Sequence, residues 1–134
     1  MITRLAHINL QTTDINRCIE FYHQGLGLPI AMDFSKDGRL AGVIFKVGER
    51  NFIEVFENNP RCGITHFALE VDDIDEFITS VTAKGITCSP KKMGGGGTWA
   101  TWLSDPDGNA FEVQQYTERS MQLNGGTCEI TWKL

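Results

Sequence analysis

The stretch HINLQTTDI at residues 7–15 recurs 59 residues later as HFALEVDDI at residues 66–74. Histidine, leucine, aspartate and isoleucine fall at the same points of both copies. Further along, FIEV at residues 52–55 and AFEV at residues 110–113 agree at an offset of 58. A repeat of this length predicts two copies of one supersecondary unit. Each copy opens with a histidine strand and closes with a glutamate strand.

Hydrophobic periodicity predicts the same order of elements in both copies: one strand, one helix and then three strands. Asp14 is placed to cap the first helix, which we predict to end at Leu26 before Gly27. The predicted strands of the first copy are residues 3–11, 29–34, 40–47 and 51–57. The second copy is predicted to hold a strand at 64–71, a helix from Asp72 or Asp73 to Lys84, and strands within 86–93, 98–104 and 110–116. Beyond the repeat, residues 128–132 alternate like a further strand.

Composition limits the class of protein. The 134 residues suit one domain, and 41% hydrophobic with 22% charged residues is typical of a soluble globular chain. The net charge of −5, without a basic run, argues against nucleic acid or an anionic membrane as partner. No membrane-length apolar run or signal peptide is visible, so we predict a cytoplasmic protein. The four scattered cysteines lack a CxxC pair and are predicted to be reduced thiols.

Four metal-capable side chains interrupt otherwise apolar strands at corresponding points of the repeat: His7, Glu54, His66 and Glu112. Strand parity sets the last three opposite to bulky apolar neighbours, which are free to pack between sheet and helices. Burial of an imidazole or carboxylate without a partner costs roughly several kcal/mol of free energy. If a curved sheet from one unit faces the other, one divalent cation would satisfy all four. We therefore predict that they converge.

The donor set suits a catalytic ion. Two imidazoles and two carboxylates accept nickel, cobalt, zinc, manganese or iron(II). Four protein ligands in an octahedral sphere leave two positions for substrate oxygens. Carboxylates beside a metal also act as bases, which makes Glu54 and Glu112 the catalytic candidates. Taken singly, a strand histidine is more often hydrogen-bonded and a strand glutamate more often solvated. Their matching positions in both copies favour the joint site.

Other candidate residues receive simpler interpretations. His23 has no counterpart in the second copy and is predicted to be an exposed helix residue. The four-glycine run at residues 94–97 lacks the lysine and serine or threonine of a phosphate-binding loop, so we predict a mobile loop near the mouth of the site. Trp99 and Trp102 are predicted to be packing residues that could also wall a pocket.

Three motifs resemble the vicinal oxygen chelate superfamily, which includes glyoxalase I, extradiol dioxygenases, methylmalonyl-CoA epimerase and antibiotic resistance proteins. They are residues 14–22 with Leu-Gly-Leu at 26–28, residues 63–72, and residues 105–112. The resemblance covers residues 3–116. It implies an α+β fold of two βαβββ units, residues 3–57 and 64–116, that form a cupped mixed sheet in one domain of residues 1–116. Residues 117–134 would be a C-terminal extension.

Within that superfamily the quartet His7, Glu54, His66 and Glu112 is similar to the glyoxalase I pattern. The resemblance implies a lactoylglutathione lyase-like metalloenzyme that detoxifies methylglyoxal. It would convert a 2-oxoaldehyde–thiol hemithioacetal by proton transfer through a metal-bound enediolate. The short chain resembles the nickel- or cobalt-dependent bacterial enzymes. A homodimer with the site at the subunit interface, and glutathione or another thiol as cosubstrate, are also implied.

Two further residues are candidates for substrate binding by the same resemblance. Gln11 stands where glyoxalase I commonly has an arginine that meets the glutamyl carboxylate of glutathione. Asn58 matches an asparagine used for the same end of glutathione. Two alternatives stay open: another metalloenzyme of the superfamily, such as an epimerase, isomerase or lyase on a sugar-derived or acyl substrate, and a metal-free protein that binds a small ligand between tryptophan and phenylalanine side chains.

Overall fold

A computed structural model describes all residues 1–134. The first unit holds strands β1 (Ile2–Thr12), β2 (Ile30–Lys36), β3 (Arg39–Gly48) and β4 (Asn51–Glu57). The second holds β5 (Gly63–Val71), β6 (Lys92–Met93), β7 (Trp99–Ser104) and β8 (Ala110–Gln115), and the tail adds β9 (Thr127–Glu129). The helices are α1 (Ile15–Cys18, extended by a π-helical segment, Ile19–Gly25), α2 (Ile74–Ala83) and α3 (Met121–Asn124).

All nine strands form one curled mixed sheet in the order β6-β7-β8-β5-β1-β4-β3-β2-β9. The two histidine strands, β1 and β5, pair antiparallel at its centre. Each of them also pairs in parallel with the glutamate strand of its own unit, β4 or β8. The expected α+β fold of two βαβββ units in a cupped sheet is confirmed.

Both helices that follow the histidine strands begin as the sequence indicates. The Asp14 carboxylate accepts hydrogen bonds from the Asn16 and Arg17 amides, and Asp73 accepts one from the Glu76 amide. The first helix differs from expectation after Cys18, where it widens to π-helical geometry. The spacing of apolar residues does not distinguish an α-helix from a π-helix when both pack the same residues against the sheet. No helix of the structure is long and apolar enough to cross a membrane.

Two hydrophobic clusters join the helices to the outer face of the sheet. One is centred on Ile15, Val43, Phe45 and Val55, and the other on Val71, Ile74, Phe77, Leu103 and Val113. A third, larger cluster lies on the opposite, inner face and contains Met32, Phe34, Phe52, Phe56, Tyr116, Cys128 and Ile130 among its buried members. The inner face therefore combines an apolar part with the polar site described below.

The tail, residues 117–134, packs against the first unit. Strand β9 pairs in parallel with β2, and the Ile130 amide donates to the Ser35 carbonyl at 2.7 Å. This strand is shorter than the predicted residues 128–132 and begins one residue earlier. Cys128 and Ile130 are buried in the inner cluster, and all four cysteines are free thiols.

Candidate metal centre

The register of the central strands brings the four predicted donors together. His7 on β1 lies opposite Ala68 on β5, and Ala68 in turn lies opposite Glu112 on β8. Two residues further along β1, Asn9 lies between Glu54 on β4 and His66 on β5. The four donors thus occupy two adjacent rows across the middle of the inner face.

One ligand atom from each of His7, Glu54, His66 and Glu112 lies within 4.8 Å of the other three. His66 Nε2 is 3.0 Å from Glu112 Oε1, while His7 Nε2 is 3.6 Å from Glu54 Oε1 and 3.7 Å from Glu112 Oε1. The two imidazole rings lie edge to face with centroids 5.6 Å apart. All four donors come from one chain, and the homodimer implied by the family resemblance stays a prediction.

Burial makes this cluster a good fit for a cation. His7 is only 2% exposed and Glu54 only 7% exposed. His7 Nε2 has no hydrogen-bond partner, although it faces two carboxylates. A buried polar atom without a partner is unfavourable by about 1–3 kcal/mol. One divalent ion among these nitrogen and oxygen donors would satisfy His7 and neutralise the two carboxylates together.

The pKa of Glu112 is clearly shifted by its surroundings. Burial disfavours its charged form, but a hydrogen bond with His66, electrostatic attraction to His7 and His66, and the Gln114 amide together hold the pKa of this carboxyl below its ordinary value. Gln114 Nε2 donates to Glu112 Oε2 at 2.9 Å. Glu112 is therefore present as a carboxylate near neutral pH, which is the form that binds metal.

Sequence reasoning missed a polar network around Asn9. This buried amide donates from Nδ2 to Glu54 Oε1 at 2.7 Å and accepts on Oδ1 from Thr65 and from Gln11. The Thr65 hydroxyl also lies 3.1 Å from His66 Nδ1. Asn9 therefore links a carboxylate of the first unit to a histidine of the second. The available signal was its parity with His7, two residues away on the same strand.

A second polar group lies beyond the metal-capable cluster along the same strands. The buried carboxylate of Glu70 accepts from Arg4 Nη1 at 2.7 Å and from Arg50 Nε at 2.7 Å. Arg50 also lies over the Tyr116 ring, 5.0 Å from its centroid. Burial and the charges of Glu70 and Glu54 raise the pKa of Tyr116 well above its ordinary value. This phenol stays neutral and its oxygen has no partner.

A cavity of about 670 Å³ opens over the cluster. Glu54, His66 and Glu112 line one part of it, and Trp132 and Thr131 of the tail line another. Trp102 also lines it and lies edge to face with His66, with ring centroids 4.8 Å apart. The other lining residues are Met32, Phe34, Phe56, Ser89, Pro90, Lys92, Met93, Gly94, Gly95, Gly96, Thr98, Ala100, Gln114, Gln122 and Cys128.

Gln11 and Asn58, the two candidate substrate-binding residues, do not line this cavity. The Gln11 amide instead donates to Asn9 at 3.1 Å, and Gln11 Oε1 is buried without a partner. Asn58 lies just after β4, where its backbone amide donates to the Thr12 carbonyl at 2.8 Å. Their roles stay predictions. His23 is exposed, as expected, and its Nδ1 lies 2.7 Å from the Leu28 carbonyl.

Several known proteins resemble this chain in sequence or in fold. The sequence model of the Glyoxalase/Bleomycin resistance protein/Dioxygenase superfamily matches residues 4–113. A lactoylglutathione lyase of Arabidopsis thaliana is 27% identical over 125 residues, which cover 84% of this chain and 44% of the plant protein. The chain thus spans less than half the length of that relative. A probable lactoylglutathione lyase of Vibrio cholerae is 26% identical and matches over 91% of this chain and 97% of its own length.

Solved structures with the same fold have low sequence identity to this chain. Methylmalonyl-CoA epimerase from Mycobacterium tuberculosis superposes with a TM-score of 0.75 at 18% identity, covering 88% of this chain and 91% of the epimerase. Homoprotocatechuate 2,3-dioxygenase from Arthrobacter globiformis gives a TM-score of 0.70 at 20% identity, covering 97% of this chain and 43% of the dioxygenase. At these identities the likeness establishes the fold alone.

Proposed function

The chain belongs to the Glyoxalase/Bleomycin resistance protein/Dioxygenase superfamily, and we propose that it is a metal-dependent enzyme that moves a proton on a substrate with two adjacent oxygen atoms. The observation that carries this proposal is the cluster of two imidazoles and two carboxylates within 4.8 Å, in which His7 and Glu54 are buried and the other two residues are partly buried. A solvated surface role explains neither its burial nor its convergence from two units of the fold.

His7, Glu54, His66 and Glu112 would hold the cation. Nickel and cobalt suit this mixed nitrogen and oxygen set, as do zinc, manganese and iron(II). When bound, a divalent cation supplies Lewis acidity, which makes a hydrogen next to a carbonyl more acidic.

The carboxylates of the chain would carry the proton. A side-chain amide orients each of the two carboxylates. Glu54 accepts a hydrogen bond from Asn9 at 2.7 Å, and Glu112 accepts one from Gln114 at 2.9 Å. Because the two glutamates occupy corresponding places in the two units, one can remove the proton from a carbon and the same or the opposite one can return it to the adjacent carbon.

The specific reaction we propose is that of a lactoylglutathione lyase. In the hemithioacetal of a 2-oxoaldehyde and a thiol, the proton leaves the carbon that bears sulfur and returns to the neighbouring carbonyl carbon. The product is a 2-hydroxyacyl thioester, and all atoms are conserved. The names of the plant and Vibrio relatives and the full quartet of donors support this choice.

A second candidate is an epimerase, isomerase or lyase that uses the same proton transfer on an acyl or sugar-derived substrate. Lys92 is the only lysine or arginine that lines the cavity, whereas glutathione carries two carboxylates that need partners. This paucity of positive charge favours a substrate with less negative charge than a glutathione adduct.

One assay separates these proposals. Protein purified without chelators is analysed for bound metal and then mixed with methylglyoxal and glutathione in the presence of nickel, cobalt, zinc or manganese. The lyase proposal predicts metal-dependent formation of the thioester. It also predicts that Glu54→Gln and Glu112→Gln, each alone, lower kcat by about 100-fold or more, while Glu20→Gln on the exposed helix surface does not. Full activity of both single variants would rule out this mechanism.

Two other results lead to different conclusions. A protein that binds metal but leaves the hemithioacetal unchanged supports the second candidate. A protein that binds no metal at all contradicts both and leaves a small-ligand-binding role.

A further inference from the structure

The tail contributes a wall to the cavity over the candidate metal centre. Building on the proposed function, we propose that Trp132 is a specificity-determining residue, and that the substrate carries a flat apolar group which lies against it while its two adjacent oxygens face the cluster. The substrate class is an aryl- or alkenyl-substituted carbonyl compound with at most one negative charge.

Hydrogen bonds and close packing fix the tail to the four-glycine loop. The Met121 amide donates to the Gly96 carbonyl at 2.8 Å, and the Thr117 hydroxyl donates to the Gly97 carbonyl at 2.6 Å. A Cβ atom on Gly95 would lie 2.8 Å from Cys128 Sγ, and one on Gly97 would lie 2.7 Å from a tail carbonyl. The glycines therefore allow the tail to pack against the loop at van der Waals distance. The loop lines the cavity, and its mobility stays a prediction.

The same tail holds Trp132 in an aromatic group on the cavity wall. Its ring centroid is 6.3 Å from that of Phe34 and 6.4 Å from that of Phe56, with both pairs edge to face. Phe34 and Phe56 pack on each other at 4.7 Å. Lys36 Nζ donates to the Trp132 carbonyl at 3.2 Å. Trp132 is 41% exposed and lines the cavity. Its side chain therefore offers apolar surface to a ligand, and the contacts above hold it in place.

The charge of the cavity points to the same class of substrate. The ionisable groups that line the cavity are the two carboxylates of the cluster, the exposed Lys92, His66 and Cys128. A second aromatic side chain, Trp102, lines the cavity beside His66. A ligand between the cluster and Trp132 thus meets aromatic and apolar side chains and few cations. Such surroundings favour a flat apolar group.

Two small chelators that differ only in this group test the inference. Benzohydroxamate and acetohydroxamate present the same pair of oxygens, but only the first carries a phenyl ring. Each is titrated calorimetrically into nickel- or zinc-loaded protein whose metal content has been measured. We expect wild-type protein to bind benzohydroxamate about tenfold more tightly, the order of effect expected for partial burial of one ring. This preference should fall below about threefold in Trp132→Ala with little change for acetohydroxamate.

Two further variants make the result interpretable. Trp132→Leu keeps apolar bulk against Phe34 and Phe56 and should also lose the preference, whereas Trp132→Phe should retain most of it. Lys133→Ala, on the exposed neighbour, should behave like wild type. Absence of a preference in wild-type protein, or its full retention in Trp132→Ala and Trp132→Leu, would overturn this inference and leave the proposed function intact. Failure of the protein to load metal would overturn both.

Discussion

Asn9 shows how a single residue can connect the two halves of the centre. Its amide holds Glu54 from the first unit, and its carbonyl oxygen accepts from Thr65, which lies beside His66 of the second. Residues of this kind orient metal ligands, and their loss typically lowers metal affinity by about 10- to 100-fold.

We therefore expect Asn9→Ala to weaken metal binding by about 10- to 100-fold, measured by competition with a chelator of known affinity. Asn16→Ala, at an exposed position of the first helix, is the matched control and should bind as wild type does. If Asn9→Ala retains wild-type affinity, the network has no part in positioning the ligands.

Glu70 has a structural role that is separate from the centre. Its carboxylate is buried and accepts hydrogen bonds from two half-exposed arginines, Arg4 and Arg50. Glu70→Ala removes several charge-assisted hydrogen bonds, while the arginines regain contact with water. We expect the free energy of unfolding to fall by about 2–3 kcal/mol, measured by urea denaturation, against a negligible change for Glu20→Ala. A loss no larger than that of the control would show that this buried group contributes nothing net.

At the residue scale, the sequence was sufficient to predict which donors would converge, but it did not reveal their partners. His7 and His66 are marked by the repeat, and strand parity places Glu54 and Glu112 on the same face. Asn9 and Gln114 share the parity of the donors on their strands, but neither recurs in the other copy of the repeat. Their hydrogen bonds depend on which residues of neighbouring strands lie opposite one another, and several register shifts occur between β1 and β5.

At the level of the elements, two glycines show how the tail packs on the glycine loop. Gly97 and Gly108 share the same left-handed φ of +84°, but a Cβ atom would meet the Arg119 carbonyl at 2.7 Å in the first case and nothing within 4 Å in the second. An alanine at either position pays a backbone strain of about 1 kcal/mol. Only at Gly97 does it also push against the tail.

We expect Gly97→Ala, but not Gly108→Ala, to increase amide hydrogen exchange across residues 117–134, because the alanine methyl group displaces the tail from its position against the loop. Equal exchange profiles in the two variants would mean that the loop does not hold the tail.

The predicted elements differ from the observed ones where local pattern is weakest. Capping aspartates and terminal glycines set the helix ends well, since these signals are local. The π-helical segment Ile19–Gly25 and the short helix α3 in the tail were not predicted. Helix α3 has only four residues, and its position follows from tertiary contacts with the glycine loop, which a sequence pattern does not encode.

For the whole molecule, the repeat predicts two like units but not how they pair. Units of this kind can meet within one chain or across two chains, and both arrangements satisfy the same pattern. In the structure β1 and β5 join the units edge to edge within one chain, so one chain holds all four donors. The homodimer stays a prediction.

Metal should therefore stabilise the fold as a whole, because the ion would connect both units. At a free metal concentration about 100 times Kd, binding adds about 2.7 kcal/mol to the free energy of unfolding, which thermal unfolding with metal or with chelator will detect as a shift in Tm. His7→Gln should lose most of this shift, and His23→Ala, at the exposed histidine, should keep it. A shift that survives in His7→Gln would place the metal elsewhere.

The most direct test of the central claim is anomalous diffraction from crystals of the protein loaded with nickel, cobalt or zinc. We predict one strong anomalous peak per chain, with nitrogen atoms of His7 and His66 and carboxylate oxygens of Glu54 and Glu112 all about 2.0–2.2 Å from it. A peak bound by other residues, or the absence of any peak among these four side chains in metal-loaded crystals, would contradict the claim that the two units share one cation.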